Sequence, residues 1–350
     1  MDKSIYFIKN EDLLNLVEKL YADYQVFVPF LKDSSSLKKD YCYQRFKPGL
    51  SWVLNPYRVT EPLKTFFTYP REELSGYFCP DKRILNVEQK TIVLGVKACD
   101  IAAHRIQDFV FIEGVQEDAL YRLRRENTLL VSSDCTDYKD VCFCLAMDVL
   151  PYPQKLFDLN LSSLNEGYLV EIGSPRAGQI LEDNQSYFTP AKDTQIAARK
   201  SKRDIFVDKL KNHIIPQNMP RIDKLQDLIR KGFSLDTWSH FMLTCVECGG
   251  CNLICDTCHC FLLWDEKGKT NNLRLRQWDA CQYANFSRVA GGANPLKNRT
   301  QRLRNRFIKK FDFFIDNLGI PACCGCGRCI EVCPGKIDIR EVLKDLAKKV

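Results

Sequence analysis

Cys245, Cys248, Cys251 and Cys255 form C-x2-C-x2-C-x3-C, and the same spacing returns at Cys323, Cys326, Cys329 and Cys333, with Pro334 after the last. In a run of this kind three thiolates hold one iron-sulfur cube and the fourth reaches across to a second. Two runs therefore specify two 4Fe-4S clusters with crossed ligands. Cluster 1 takes Cys245, Cys248, Cys251 and Cys333; cluster 2 takes Cys255, Cys323, Cys326 and Cys329. The chemistry is one-electron transfer. Small residues must let the backbone close around each cube, and Gly249 and Gly250 in the first run and Gly325 and Gly327 in the second fill that need. Paired CxxC elements also bind zinc. The repeated x2, x2, x3 gaps and the closing proline favour clusters.

A third constellation lies in the first half: Cys99, Cys135, Cys142 and Cys144, the last two in Cys142-Phe143-Cys144. Cys99 and Cys135 follow predicted strands whose ends meet at one sheet edge, so the four thiolates can converge on a third 4Fe-4S cluster, with Asp100 as a substitute ligand. The plainer alternative is that Cys99 and Cys135 pack as small hydrophobes. Cys258, Cys260 and Cys281, with His259 nearby, form a weaker set that suits zinc, another cluster, or only the lining of the cube at Cys255. Cys42, Cys79 and Cys324 carry less signal still.

The elements that must position these thiols read as follows. Ser4 to Ile8 and Gln25 to Val28 are short strands, the second stopped by Pro29, and between them a helix from Asn10 carries Leu13, Leu14, Val17 and Leu20 at helical spacing. Thr91 to Val96, Asn127 to Ser132 and Gly167 to Ile172 are further strands, and Asp100 is placed to cap a helix beginning at Ile101. Strand, helix and strand in that order give a small mixed or parallel sheet. From Pro190 to Leu243 the chain is lysine-rich and helical, with Ile205, Leu210, Leu225 and Ile229 on apolar faces and Pro216 and Pro220 as breaks. Cys255 to Cys323 is too long for a compact ferredoxin hairpin, and Leu303 to Leu318 is helical in pattern. The expected architecture is an α/β N-terminal domain (1–185), a helical connector (186–240) and an α-helical ferredoxin-type domain (241–350).

With 45% hydrophobic residues over 350, the chain can bury several cores. Neither a signal-peptide core at residues 1–10 nor an apolar run of membrane-spanning length is present, so a cytoplasmic protein with no membrane span is expected. Eighteen cysteines grouped in metal-ligand runs need a reducing, anaerobic setting. The formal charge of +7 treats cysteine as neutral; two oxidised cubes of about −2 each lower it to about +3. The basic runs Arg199 to Arg203 and Arg302 to Lys310 read as solvated helix faces.

Gly95-Val96-Lys97-Ala98-Cys99-Asp100, Cys142-Phe143-Cys144, the dense Cys245 to Cys260 stretch, Arg276-Gln277-Trp278-Asp279-Ala280-Cys281 and Cys326-Gly327-Arg328-Cys329 together resemble the iron-sulfur β subunits of cytosolic sulfhydrogenases and the A-type subunits of anaerobic sulfite reductases. The resemblance covers roughly residues 60–345. It implies a subunit of an oxidoreductase complex that relays electrons between a flavin- or nicotinamide-handling partner and a catalytic metal-containing reductase or hydrogenase partner. Asp256 departs from the pattern, standing where a proline often follows the fourth cysteine.

No nucleophile–base pair, Walker sequence or dinucleotide GxGxxG is evident, and His104, His213, His240 and His259 are scattered. No catalytic residue is assigned; catalysis belongs to partners. Two other classes stay open: a self-contained metal-dependent reductase with an open coordination position, and a metal-stabilised nucleic-acid-binding module. The second requires basic residues interleaved with exposed aromatics on one surface, and no such grouping is seen, so nucleic acid is not an expected partner.

Overall fold

The structure, a computed structural model, describes residues 5–32, 39–76, 89–267 and 272–350; Ser4 and Cys79 lie outside them. The first half runs β1 (Ile5–Lys9), α1 (Asn10–Leu20), β2 (Gln25–Lys32), β3 (Asp40–Arg45), β4 (Arg71–Gly76), β5 (Thr91–Val96), α2 (Ala98–Phe111), α3 (Ala119–Asn127), β6 (Thr128–Ser133), β7 (Leu159–Ser163), β8 (Gly167–Ile172), α4 (Pro175–Glu182) and β9 (Thr189–Pro190). All of these strands except β4 join one sheet in the order β3-β2-β5-β6-β7-β8-β1-β9. The stretch β2-β5-β6-β7 is parallel, and the outer pairings are antiparallel.

Alternation along the central strands explains the layers. Ile92, Leu94, Leu129 and Val131 face α1 and α4, meeting Leu13, Leu16, Val17, Ala177 and Ile180. Val93 and Leu130 face α2 and α3, meeting Ile101, Phe111 and Tyr121. Leu14 is 46% exposed, so the buried face of α1 is Leu13, Leu16 and Val17 rather than one that includes Leu14. Nor does Pro29 stop β2. Pairing with β5 ends at Phe27, while pairing with β3 continues through Pro29 to Lys32. A proline without its N–H is tolerated once the ladder on that side has ended.

The second half runs α5 (Asp193–Ile214), α6 (Leu225–Lys231), α7 (Thr237–Met242), α8 (Gly250–Leu253), β10 (Phe261–Lys267), β11 (Asn272–Trp278), α9 (Arg299–Ile308), α10 (Phe314–Leu318), α11 (Arg328–Glu331) and α12 (Ile339–Lys349), with a π-helical turn at Lys309–Phe313 joining α9 to α10. Trp238 sits at the centre of the helical core, among Leu225, Ile229, Met242, Leu303, Phe307, Phe311, Val342, Leu343 and Leu346. Ile205, expected on an apolar face of α5, is 67% exposed; Phe206, Leu210 and Ile214 form the buried stripe instead.

The two halves interlock. The helical pattern expected between the cysteine runs omitted the β10–β11 hairpin, and β11 pairs in turn with β4 from the first half. Phe143, between Cys142 and Cys144, is buried in the Trp238 core together with Met147. The polar run at Arg274 and Arg276 hides the hairpin from a periodicity reading. Arg276 is buried there because Glu72 and Asp118 of the first half pair with it.

Candidate metal centres

The two cysteine runs fold as copies of one loop. Two residues after the first cysteine the backbone is left-handed in both, at Glu247 (φ 57°) and Gly325 (φ 66°). Four residues after it Gly249 (φ 69°) and Gly327 (φ 73°) are left-handed again, and each opens a short helix, α8 or α11. Gly250 is an ordinary helical residue, so in the first run the strained position falls to Glu247 instead. The two short helices pack on each other. That contact brings Cys333, at the end of the second run, beside Cys245 and Cys251 of the first. Likewise Cys255 stands among Cys323, Cys326 and Cys329. Backbone amides point at two of the sulfurs, Glu247 N to Cys245 Sγ at 3.4 Å and Ile337 N to Cys333 Sγ at 3.3 Å.

The N-terminal four come together as well. Cys99 follows β5 at the start of α2, and Cys135 follows β6; these are adjacent parallel strands, so both thiols stand at their carboxyl ends. The loop after β6 carries Cys142 and Cys144 back over this edge, and Cys135 is the neighbour of Cys99, Cys142 and Cys144. The buried stripe of α5 covers the site from outside, with Phe206, Leu210 and Ile214 packed on Cys135 and Cys144. Arg203 clamps α5 there by pairing with Asp134 at 2.8 Å, and Arg199 pairs with Glu171 at 3.1 Å. That basic run is thus partly a fastening rather than a solvated face.

Close approach links this third set to the second run. A Cβ on Gly325 would lie 2.6 Å from the Cys144 backbone, and one on Gly327 would lie 2.3 Å from the Val141 carbonyl oxygen. Phe143 N donates to Gly325 O at 2.9 Å, and Arg58 Nε donates to Cys326 O at 2.6 Å. Below them, Arg328 is fully buried and donates through Nη1 to Asp100 Oδ1 at 2.5 Å and to Asp256 Oδ2 at 3.0 Å. Asp100, Asp256 and Arg328 each adjoin a cysteine of a different segment. Asp100 is therefore engaged as an ion-pair partner rather than free to replace a thiolate. The departure at Asp256 also has its reason, since its other oxygen accepts Lys64 N at 2.9 Å.

Sequence reasoning missed a second group of residues. Arg302, Arg306 and Lys310 are all buried, one turn apart, on the face of α9 and the π turn that looks at the thiols. Arg302 pairs with Glu247, Arg306 Nη2 donates to Cys251 O at 3.4 Å, and Lys310 Nζ donates to Cys255 Sγ at 3.4 Å. The solvated-face reading of this run is corrected: its i, i+4, i+8 cations are a buried stripe. The signal was there in the spacing of Arg302, Arg306 and Lys310. Burial pushes the Lys310 ammonium down, but Cys255 and Cys258 outweigh it and hold its pKa above the lysine range. Burial pushes the metal-free thiols of Cys135, Cys251 and Cys323 up to about 12. Metal binding must displace those protons, so the charge of the bound centre meets the buried cations.

Of the histidines, His259 adjoins these centres, and His213 reaches the N-terminal set through Gln217, whose Nε2 lies 3.0 Å from His213 Nε2 and donates to Cys142 O at 3.1 Å. His104 is buried 4.6 Å from the Phe67 ring, and His213 stacks on Tyr138 at 4.3 Å. Cys42 lies on β3, where its charged neighbours are Glu61 and Lys32. Among the described residues every cysteine is a free thiol, and no helix is long and apolar enough to cross a membrane.

Residues 244–337 match the family described as 4Fe-4S dicluster domain. The segment carries that domain, which implies two 4Fe-4S clusters. Over 290 residues the chain is 28% identical to Sulfhydrogenase 2 subunit beta of Pyrococcus furiosus, covering 83% of this chain and 84% of that protein. The donor set fits the implied cofactors: all-thiolate ligands in loops whose left-handed positions open a cradle, with buried cations such as Arg306, whose Nε has no partner among the described residues, facing it.

Proposed function

We propose that this chain is an iron-sulfur electron-transfer subunit that relays electrons between a flavin- or nicotinamide-handling partner and a catalytic reductase or hydrogenase partner. Cluster 1 is assigned to Cys245, Cys248, Cys251 and Cys333, cluster 2 to Cys255, Cys323, Cys326 and Cys329, and a third cluster to Cys99, Cys135, Cys142 and Cys144. The observation that carries the reading is the contact of three thiol sets in a row. The first and second share the α8–α11 packing, and the second and third meet where Gly325 lies against Cys144. Similarity to a sulfhydrogenase β subunit supports a place in a multi-subunit complex. The domain division at 185 and 240 is proposed on the same footing, with α5 as the connector that seals the third site.

Bound clusters supply one-electron transfer; the chain's own residues hold and tune them. Cys248 is exposed, so one end of the row reaches the surface. Cys323, Cys326 and Cys329 of the middle set are partly buried, in contrast to the exposed Cys248. Lys310 donates to Cys255 Sγ, and a cation there favours the more negative, reduced state. Lys310→Met is therefore expected to lower the midpoint potential of one cluster and leave the others in place, read by EPR-monitored redox titration. An unchanged set of potentials would remove Lys310 from this role.

Iron analysis tests the ligand assignment. Anaerobically purified chain is expected to hold at least about eight iron and eight acid-labile sulfide from the two C-terminal cubes alone. Cys333→Ala should damage the cube held chiefly by Cys245, Cys248 and Cys251, despite its distance in sequence. Zinc in place of iron would defeat the reading. Native mass analysis of anaerobic extract is expected to find the chain with a flavoprotein or a metal-containing catalytic chain; a lone chain that reduces substrate unaided would end the relay proposal.

A further inference from the structure

Cys258, Cys260 and Cys281 remain outside the three sets. Cys258 and Cys260 lie between α8 and β10, and Cys281 follows β11. The hairpin aligns them: Phe261 opposes Trp278, and Asp279 N donates to Cys260 O at 2.9 Å. The Cys260 and Cys281 thiols adjoin each other. Cys258, His259 and Cys260 lie in the irregular segment just before β10. His259 Nδ1 is tied to Thr257 O at 3.2 Å, and its ring stands edge-on to Phe314 at 5.6 Å.

One buried amide collects the thiols. Asn252 Nδ2 lies 3.1 Å from Cys281 Sγ and 3.6 Å from Cys258 Sγ. A thiol is a weak acceptor, and an amide that spends its donors on sulfur suits metal-bound thiolate. Two buried cations stand beside the group. Lys64 Nζ is held by the carbonyl oxygens of Asn252 at 3.3 Å and Cys258 at 3.0 Å and sits 4.3 Å over Trp278. Arg306 lies among Cys251 and Cys329 of the ferredoxin-type sets and also neighbours Cys258 and Cys281. Neither forms an ion pair with a carboxylate among the described residues. Buried cations call for an anionic neighbour, and an all-sulfur donor set selects iron-sulfur or another soft centre. Zinc needs four close tetrahedral ligands. Among the described residues no three His, Cys, Asp or Glu side chains are close enough to hold a single ion.

We propose that Cys258, Cys260 and Cys281 hold a fourth iron-sulfur centre, a 4Fe-4S cube bound by three protein thiolates, with its remaining iron free of cysteine from this chain. Cys281 neighbours Cys251 of the first set and Cys258 neighbours Cys255 of the second. The centre is therefore a side station reached from both ferredoxin-type clusters, and its open iron gives it room for an outside sulfur ligand.

The test uses the full chain, reconstituted anaerobically with iron and sulfide, and counts iron, zinc and sulfide per chain. The parent is expected to hold about sixteen iron, and Cys281→Ala and the double change Cys258→Ala with Cys260→Ala are each expected to lose about four of them with matching sulfide. Iron unchanged in both variants, or a loss of one zinc, overturns the proposal. If the variants do not fold, Mössbauer spectra of the parent decide: an iron subsite without thiolate ligation supports the centre, and only all-thiolate cubes overturn it. The Cys142→Ala, Cys144→Ala chain separately reports the N-terminal cluster, so a failure of that reading and a failure of this one leave different iron counts.

Discussion

The double substitution Cys142→Ala, Cys144→Ala is expected to remove about four iron atoms and four sulfides, leave the C-terminal cubes in place, and stop electron flow between partners. The physical ground is the sheet edge. Cys99 and Cys135 follow the carboxyl ends of neighbouring parallel strands, and the Cys142–Cys144 loop is pinned over them by Phe143, whose ring is buried in the Trp238 core and whose N–H donates to Gly325 O. Alanines at Cys142 and Cys144 keep that anchor, so the fold is expected to survive the loss of the thiols. Cys326 neighbours both Cys99 and Cys142, which makes the third site the next stop from cluster 2. Iron and EPR spin counts, together with partner-to-partner reduction rates, check the outcome. Unchanged iron would sink the third cluster, and the loss of one metal atom would make the site mononuclear zinc.

Much of this was legible because chemistry and period both leave marks. The doubled spacing marked the two loops, and the apolar runs Thr91 to Val96 and Gly167 to Ile172 marked two strands whose bounds the structure reproduces. The expectation that Cys99, Cys135, Cys142 and Cys144 approach one another rested on two predicted strand ends and the CxC spacing, and the structure places Cys135 beside the other three. What the pattern concealed was polar burial. Arg302, Arg306 and Lys310 look like a wet helix face because charge in sequence usually means solvent, yet thiolate-rich surroundings reverse that rule. The hairpin of β10 and β11 was hidden in the same way, since Arg276 is buried only because Glu72 and Asp118 meet it from the other half of the chain. Glu247 in a left-handed turn was equally invisible: the eye goes to glycine, while Gly250 beside it is helical. Long-range partners decided each of these cases.

Arg328→Met is expected to destabilise the loaded chain by about 3–5 kcal/mol, the usual cost of breaking a buried ion pair from one side. The guanidinium is fully buried, and so are both carboxylates it holds, Asp100 and Asp256. It also donates through Nη2 to Val59 O at 3.0 Å, so its loss unties four chain segments at once: the Val59 loop, the start of α2, the turn after Cys255 and the helix of Cys329. Methionine has similar bulk and fills the space, which confines the expected loss to two stranded negative charges between the second and third thiol sets. Those charges are also expected to lower the midpoint potentials of the adjoining clusters, because added electrons are repelled. Adding Asp100→Asn and Asp256→Asn to Arg328→Met should recover most of the stability, since removing all the charges together leaves no uncompensated one. Anaerobic denaturation followed by circular dichroism, with iron counted before each run, reads the effect. A loss below about 1 kcal/mol, the range of an exposed pair, would mean that Arg328 does not hold the segments together, and equal losses in the single and triple variants would assign its role to packing instead of charge.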